Sequence, residues 1–288
     1  MRIDLHCHSA ASDGTRAPAE VVRRARARGL DVVALTDHDT VAGWDEAAGA
    51  LPDGLTLVPG IELSCAHGGR SMHLLGYLFD PAHPALAAEL ARIRDDRVLR
   101  AQAMVDRLRD LGVDITWGMV RALARGEAVG RPHIARAMAE AGAIETADEA
   151  FSPRWIAQGG RAHVERYALD PVRAIGLVRA AGGVCVLAHP RARRRGYVFD
   201  DAVIERLAAA GLAGVEADHP DHVPEDRARL RDLASALGLA ATGSSDDHGA
   251  ATGDRLGAET TAPEAFERLA GAASGGDLRV PDRGGEAR

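Results

Sequence analysis

Val32-Val33-Ala34-Leu35-Thr36-Asp37-His38-Asp39 decides the reading of this chain. Four apolar residues without alternation describe a strand buried on both faces, as in a parallel sheet. The charged triplet that follows would stand at the strand's C-terminal end. The same form recurs along the chain. Residues 3–5 run into His6-Cys7-His8, residues 55–58 into Gly60-Ile61-Glu62, and residues 184–188 into His189-Pro190. Residues 73–78 form a further run. Residues 214–217 precede Asp218-His219, and residues 239–243 precede Ser244-Ser245-Asp246-Asp247-His248. Helical patterns lie between several of them. Residues 18–28 turn Val21, Val22 and Ala25 to one face and stop at Gly29, and residues 171–181 and 225–237 behave alike. Seven strands with interleaved helices predict an α/β fold, a seven-stranded (β/α) barrel.

One connection is too long for a barrel loop. Residues 81–170 hold no strand pattern. Leu86, Leu90, Ile93, Arg97, Ala101, Met104, Leu108 and Leu111 recur at spacings of three and four, which predicts one long amphipathic helix ended by Gly112. Further helical stretches surround Val120, Ile134 and Trp155. The expected organisation is a barrel of residues 1–80 and 171–273, a helical lid subdomain inserted at 81–170, and a loose Gly- and charge-rich tail at 274–288.

Composition narrows the chemistry. The 288 residues carry 42 acids and 35 bases, a net charge of −7, which disfavours extended binding along a nucleic-acid duplex. All 35 bases are arginine. Schiff-base chemistry, a P-loop lysine and a carboxylated-lysine metal bridge are therefore excluded. Cys7, Cys65 and Cys185 have no Cys-x-x-Cys spacing and suggest no disulfide framework. Neither a signal-peptide core nor an apolar run of membrane-spanning length is present, so a soluble cytoplasmic protein with no obligate protein partner is expected. Three Trp, three Tyr and four Phe offer few stacking platforms, which favours a mononucleotide or short oligonucleotide over a long single strand.

His6 and His8, two apart on a strand, share one face, and Cys7 points the other way into packing. Asp13 follows in a loop. Asp37-His38-Asp39, Glu62, His189, Asp246 and His248 sit at strand ends, where barrel active sites lie, and His73 begins the fourth strand. A buried carboxylate such as Glu62 needs a positive partner, and a metal is the simplest. His6, His8, Asp13, His38, Glu62, His73, His189, Asp246 and His248 are more ligands than one ion needs. They suit a multinuclear site with bridging carboxylates. Mixed nitrogen and oxygen donors fit Mn, Fe or Zn and not a thiolate or calcium site.

Asp4-Leu5-His6-Cys7-His8-Ser9, Thr36-Asp37-His38-Asp39-Thr40, Pro59-Gly60-Ile61-Glu62, Ala188-His189-Pro190 and Ser245-Asp246-Asp247-His248 together resemble the PHP (polymerase and histidinol phosphatase) family. The resemblance spans nearly the whole chain. It implies a distorted seven-stranded (β/α) barrel and a site for two or three divalent transition-metal ions, Mn²⁺ first, with Fe or Zn as alternatives. It assigns His6, His8, Glu62 and Asp246 to one ion. Glu62 bridges to a second with His73 and His189, and Asp13, His38 and His248 hold a third. Arg97, Arg100 and Gly130-Arg131-Pro132-His133-Ile134-Ala135, with His219-Pro220-Asp221-His222, resemble the subgroup acting on nucleoside 3′,5′-bisphosphates and on the 5′ ends of short RNA. The resemblance makes Arg97, Arg100, Arg131, His133, His219 and His222 the expected phosphate contacts. The segment Arg161-Ala162-His163-Val164 departs from the subgroup by lacking an aromatic near His163.

The implied reaction is metal-assisted phosphoester hydrolysis by a metal-bound water, with Asp37 and Asp13 as candidate assisting groups and His189 or His248 as candidate proton donors to the leaving group. Arg131 opens a helix expected at residues 132–141, where Pro132 costs no hydrogen bond and free N–H groups attract phosphate. The alternatives are a histidinol-phosphate-type monoesterase, a C–N hydrolase of amidohydrolase type and a non-catalytic metal-binding module.

Overall fold

The computed structural model describes residues 1–124, 129–193 and 198–281. Its seven strands are β1 (Ile3–Cys7), β2 (Val32–Leu35), β3 (Thr56–His67), β4 (Arg70–Tyr77), β5 (Val184–Leu187), β6 (Gly214–Asp218) and β7 (Ala240–Gly243). They lie in chain order in one sheet. The sheet curls into a nearly closed barrel. Past its ends, His8 N–H donates to the Asp247 carbonyl at 2.9 Å and Asp246 N–H to the His6 carbonyl at 2.9 Å. The seam is thus sealed by backbone on either side of the motif histidines.

The expected strands are all present, but one runs the other way. β4 is antiparallel to both β3 and β5. No crossover helix separates β3 from β4. Gly68 and Gly69, with φ of 58° and 75°, close a tight hairpin that only residues free of a Cβ make easily. The hairpin also carries β3 to His67, five residues beyond Glu62.

Alternate strand side chains feed two clusters. Ile3, Leu5, Val32, Ala34, Leu75, Tyr77 and Val186 fill the interior, with Phe266 and Leu269 of a late helix (Pro263–Ala272) against them. Val33, Leu35, Leu57, Leu63 and Leu187 face outward. There they meet α1 (Pro18–Ala27), α2 (Trp44–Ala48) and three helices of the second half, Pro171–Ala180, Asp201–Ala209 and Pro224–Leu237. The register of β1 against β2 slips between Asp4 and Cys7. Ile3 and Leu5 belong to the inner cluster whereas Cys7 joins the outer one, so the slip leaves His6 and His8 facing in.

The insertion is helical, as its spacing predicts. α3 (Pro84–Asp110) is 27 residues long, and α4 (Trp117–Leu123), α5 (Arg131–Glu140) and a 3-10 turn (Ala147–Phe151) follow it. Thr116 caps α4 by accepting from Met119 N–H. The insertion buries its own core of Met104, Val105, Leu108, Val120, Ile134 and Met138. The first half of α3 does something else: Leu86, Leu90 and Ile93 pack in the outer core of the barrel. One helix therefore belongs to two cores.

The tail expected to be loose from Ser274 is tied down as far as Arg279. Ser274 N–H donates to the Gly182 carbonyl at 2.7 Å, and Arg279 exchanges a pair of backbone hydrogen bonds with Leu57 at 2.9 Å. Gly275 lies so close to the Ala181 carbonyl that any side chain would overlap it. The remainder of that tail, 282–288, lies outside the described residues.

Candidate metal centre

The barrel mouth collects the histidines and carboxylates of the sequence motifs. β1 delivers His6 and His8, the loop after it Asp13, and the end of β2 His38. β3 carries Glu62, β4 His73, and the ends of β5 and β7 lead to His189 and to Asp246 and His248. Asp39, His189 and Asp246 adopt left-handed backbone at φ of 55°, 28° and 49°. Strained non-glycine backbone of this kind persists where the surroundings hold it, and it clusters at functional sites.

Four side-chain atoms converge most closely. His6 Nε2 and His8 Nε2 are 3.1 Å apart. Glu62 Oε2 stands 3.3 Å from the first and 3.1 Å from the second. Asp246 Oδ1 stands 3.3 Å from each. Metal–ligand bonds of about 2.0–2.2 Å place neighbouring ligands about 2.8–3.6 Å apart, so these spacings are edges of a coordination polyhedron. A second group joins His8, Asp13, His38 and His248, with His248 Nε2 3.3 Å from Asp13 Oδ1. A third joins His38, Glu62 and His73. Glu62 Oε1 lies 2.7 Å from His73 Nδ1 and 3.0 Å from His189 Nε2. His38 stands between groups: Nε2 is 3.7 Å from Asp13 and Nδ1 is 3.1 Å from Glu62.

The electrostatics ask for cations. Burial opposes charge throughout, yet Asp246 and Glu62 raise His8 to about 10, and His38, His73 and His6 hold the Glu62 carboxyl well below its usual range. His38 moves the other way, to about 3, because burial outweighs its carboxylates. Nδ1 of His8 and of His38 are buried with no hydrogen-bond partner, although a carboxylate oxygen is near each. Mixed N/O donors, close convergence and unsatisfied ring nitrogens fit a multinuclear transition-metal site.

Glu216 on β6 supports this centre, and sequence reading missed it. It is fully buried, and its Oε1 accepts from His6 Nδ1 at 3.0 Å and from the Ser244 hydroxyl. Its Oε2 accepts from His189 N–H at 2.7 Å. A carboxylate on Nδ1 fixes the tautomer of His6 and leaves Nε2 free to ligate. Nothing in Gly214-Val215-Glu216-Ala217 distinguishes this glutamate from an ordinary strand residue.

Above the mouth four arginines meet. Arg97, from the middle of α3, forks to Asp39 Oδ2 (Nε at 2.6 Å) and Ser64 Oγ (Nη2 at 2.6 Å). Arg100 Nε donates to the Val164 carbonyl at 2.7 Å. Arg166 Nη2, unremarked in the sequence, donates to the Cys65 carbonyl at 2.7 Å and to Ser71 Oγ at 2.9 Å. Arg131, the first residue of α5, lies over the Phe151 ring. Burial and mutual repulsion bring Arg100 and Arg166 down to about 10 and lower Arg131. Asp39 is the one carboxylate among the described residues that forms an ion pair with any of the four. Such an excess of positive charge at a half-buried surface favours an anion.

Two expected phosphate contacts and one candidate assisting group are engaged elsewhere. His133 Nδ1 accepts from Gly130 N–H at 3.1 Å, and its ring lines a small cavity together with Ser12, between the insertion and the metal loop. His222 pairs its Nδ1 with the Ala217 carbonyl at 3.0 Å and its Nε2 with Arg191 N–H at 3.2 Å. Asp37 accepts from Ser9 N–H and from the hydroxyls of Ser9 and Ser12 at 2.6–2.8 Å, which holds the loop that presents Asp13. His219 does face the centre. Its Nδ1 accepts from Asp221 N–H at 3.0 Å, and Nε2 lies 3.4 Å from Asp246 Oδ2.

Residues 4–115 match the profile of the PHP domain. A 5′-3′ exoribonuclease of Haemophilus influenzae is 37% identical over 248 residues, 86% of this chain and 90% of that protein. The chain belongs to the PHP family. A second relative, a 3′,5′-nucleoside bisphosphate phosphatase of Chromobacterium violaceum, is 35% identical over 88% of this chain and 89% of its own length. A solved structure from Bifidobacterium adolescentis, proposed to be a metal-dependent phosphoesterase, superposes with a TM-score of 0.86 at 35% identity, covering 94% of this chain and 96% of that one. No described helix of the PHP chain is long and apolar enough to cross a membrane.

Proposed function

We propose that this PHP chain is a metal-dependent phosphoesterase that hydrolyses nucleoside 3′,5′-bisphosphates and trims short 5′-phosphorylated RNA or DNA in the 5′-3′ direction. One observation carries the reading: a convergent His/carboxylate cluster fit for two or three metal ions stands beneath four half-buried arginines, of which Arg97 alone is ion-paired among the described residues. Two anionic groups of one substrate suit those two neighbouring sites. For one site to act on both substrates, the scissile phosphate is the one on the 3′ side of the first nucleoside, and the 5′-phosphate is the anchored one.

His6, His8, Glu62 and Asp246 would hold one ion. Glu62 with His73 and His189, and Asp13 with His38 and His248, would hold the others, manganese being the first choice. When bound, such ions supply Lewis acidity at phosphoryl oxygens and lower the pKa of water to near neutral. The chain supplies the rest. Arg131, Arg100 and Arg166 bind the anchored phosphate, and Arg97, held by Asp39, orients their array. The hydrogen bond that His219 Nδ1 accepts keeps its proton on Nε2, a donor aimed beside Asp246. Glu216 keeps His6 in the ligating tautomer.

A substrate panel with metal analysis tests this. Adenosine 3′,5′-bisphosphate and 5′-phosphorylated RNA should turn over with more than one transition-metal ion per chain. Preference for histidinol phosphate or a dipeptide, or absence of turnover, would replace the reading by the monoesterase, the C–N hydrolase or the silent module. RNA labelled at either end should shorten from its 5′ end.

A further inference from the structure

A cavity of about 60 Å³ borders the metal loop, and the mechanism above leaves it unused. Ser12, Gly14 and Thr15 of the loop form one wall, and Leu123, His133 and Arg136 of the insertion form the other. By the measure of about 10–15 Å³ per water, it takes roughly four to six waters. That suits a single oxyanion and is too small for a nucleobase. One wall is held in place, because His133 Nδ1 accepts from Gly130 N–H at the start of α5. Gly14 approaches the His8 carbonyl so closely that a Cβ would sit 2.7 Å from it. Arg136 is half-buried, and among the described residues its guanidinium has no hydrogen-bonded or ion-paired partner. Arg97, by contrast, is committed to Asp39.

The two cationic sites touch different parts of the barrel mouth. The arginine array leans on Asp39, Ser64 and Ser71 at the ends of β2 to β4, whereas the cavity adjoins Asp13 after β1. A strand with its 5′-phosphate in the array and its scissile phosphate at the metals must continue away from the array. We propose that the Arg136 cavity seats the phosphodiester that follows the scissile one, so that it recognises a polymer and has no role with a nucleoside bisphosphate. This rests on the phosphoesterase reading.

The test compares 5′-phosphorylated di- and trinucleotide RNA, since only the trinucleotide has a phosphodiester beyond the scissile one. For the unaltered chain, kcat/KM should rise about tenfold from di- to trinucleotide, the worth of one charged hydrogen bond at a partly exposed site. Arg136→Ala should abolish the rise and Arg136→Glu should reverse it, with adenosine 3′,5′-bisphosphate hydrolysed at the original rate by both. The salt dependence of trinucleotide binding should lose about 0.7 in log–log slope. A rise that survives in Arg136→Ala, or an equal loss on the bisphosphate, overturns the proposal. If the unaltered chain hydrolyses nothing, the phosphoesterase reading fails separately. Fluorescence anisotropy with a 3′-labelled trinucleotide then still decides: weaker binding by Arg136→Ala supports the seat, and unchanged binding overturns it.

Discussion

Replacing Glu216 by glutamine removes one charge and no volume, yet it should damage both the fold and the metal centre. Three donors converge on the carboxylate: His6 Nδ1–H and the Ser244 hydroxyl on Oε1, and His189 N–H on Oε2. A carboxylate accepts all three. A glutamine amide has one oxygen and one NH₂, so either orientation sets a donor against a donor. If its oxygen faces His6, the His189 N–H is left buried and unpaired next to the NH₂. If its NH₂ faces His6, the imidazole must take the other tautomer, and the proton moves to Nε2, where a metal should bind. Losing one charge-assisted bond and stranding one buried donor costs about 2–4 kcal/mol. For a chain of this size that is roughly 4–8 °C in Tm of the metal-free protein. Metal affinity should fall about 10- to 100-fold, as for other carboxylates that orient a ligating histidine. Differential scanning fluorimetry in chelator reads the first effect, and metal content after equilibration against metal buffers reads the second. A variant that melts within a degree of the original and keeps its metal would refute the positioning role.

Glu62 offers both oxygens to five histidines, so Glu62→Ala should lose more metal than His73→Ala by elemental analysis; equal losses would deny that it bridges. Arg131→Ala should cut kcat/KM for bisphosphates and 5′-phosphorylated RNA about 10- to 150-fold and leave p-nitrophenyl phosphate nearly unaffected; equal losses on both would move Arg131 to the chemical step or the fold. Gly60→Ala brings a Cβ to 2.8 Å from Thr36 and 3.0 Å from the Tyr77 ring, and urea unfolding should show a loss of about 1–3 kcal/mol.

What could be read from the sequence follows from how local each signal is. An apolar run ending in His or Asp is local, so β1, β2, β5 and the ligand positions at their ends were legible. The direction of β4 was not, because a doubly buried strand looks the same in either sense. The cue is Gly68-Gly69, a dipeptide that suits the tight turn of a hairpin. The helical period of α3 placed Arg97 and Arg100 correctly on a single element. Arg166 has no such periodicity, being in the segment that returns from the insertion, and only tertiary structure brings it to Ser71. His133 and His222 carry the right chemistry for phosphate, but backbone groups claim their nitrogens, and those partners are set by the folded loops alone.

α3 works as a rigid shaft keyed at both ends. Ile93 is locked into the outer wall of the barrel and Ala101 into the insertion, with Arg97 halfway between. Each residue added or removed in that span would turn one end against the other by about 100° and shift it by about 1.5 Å. Substitutions along the shaft keep its two ends in phase, whereas changes in its length would swing Arg100 off the mouth altogether. Grafting an insertion from one relative onto another should succeed only when the residue count from Ile93 to Ala101 is preserved.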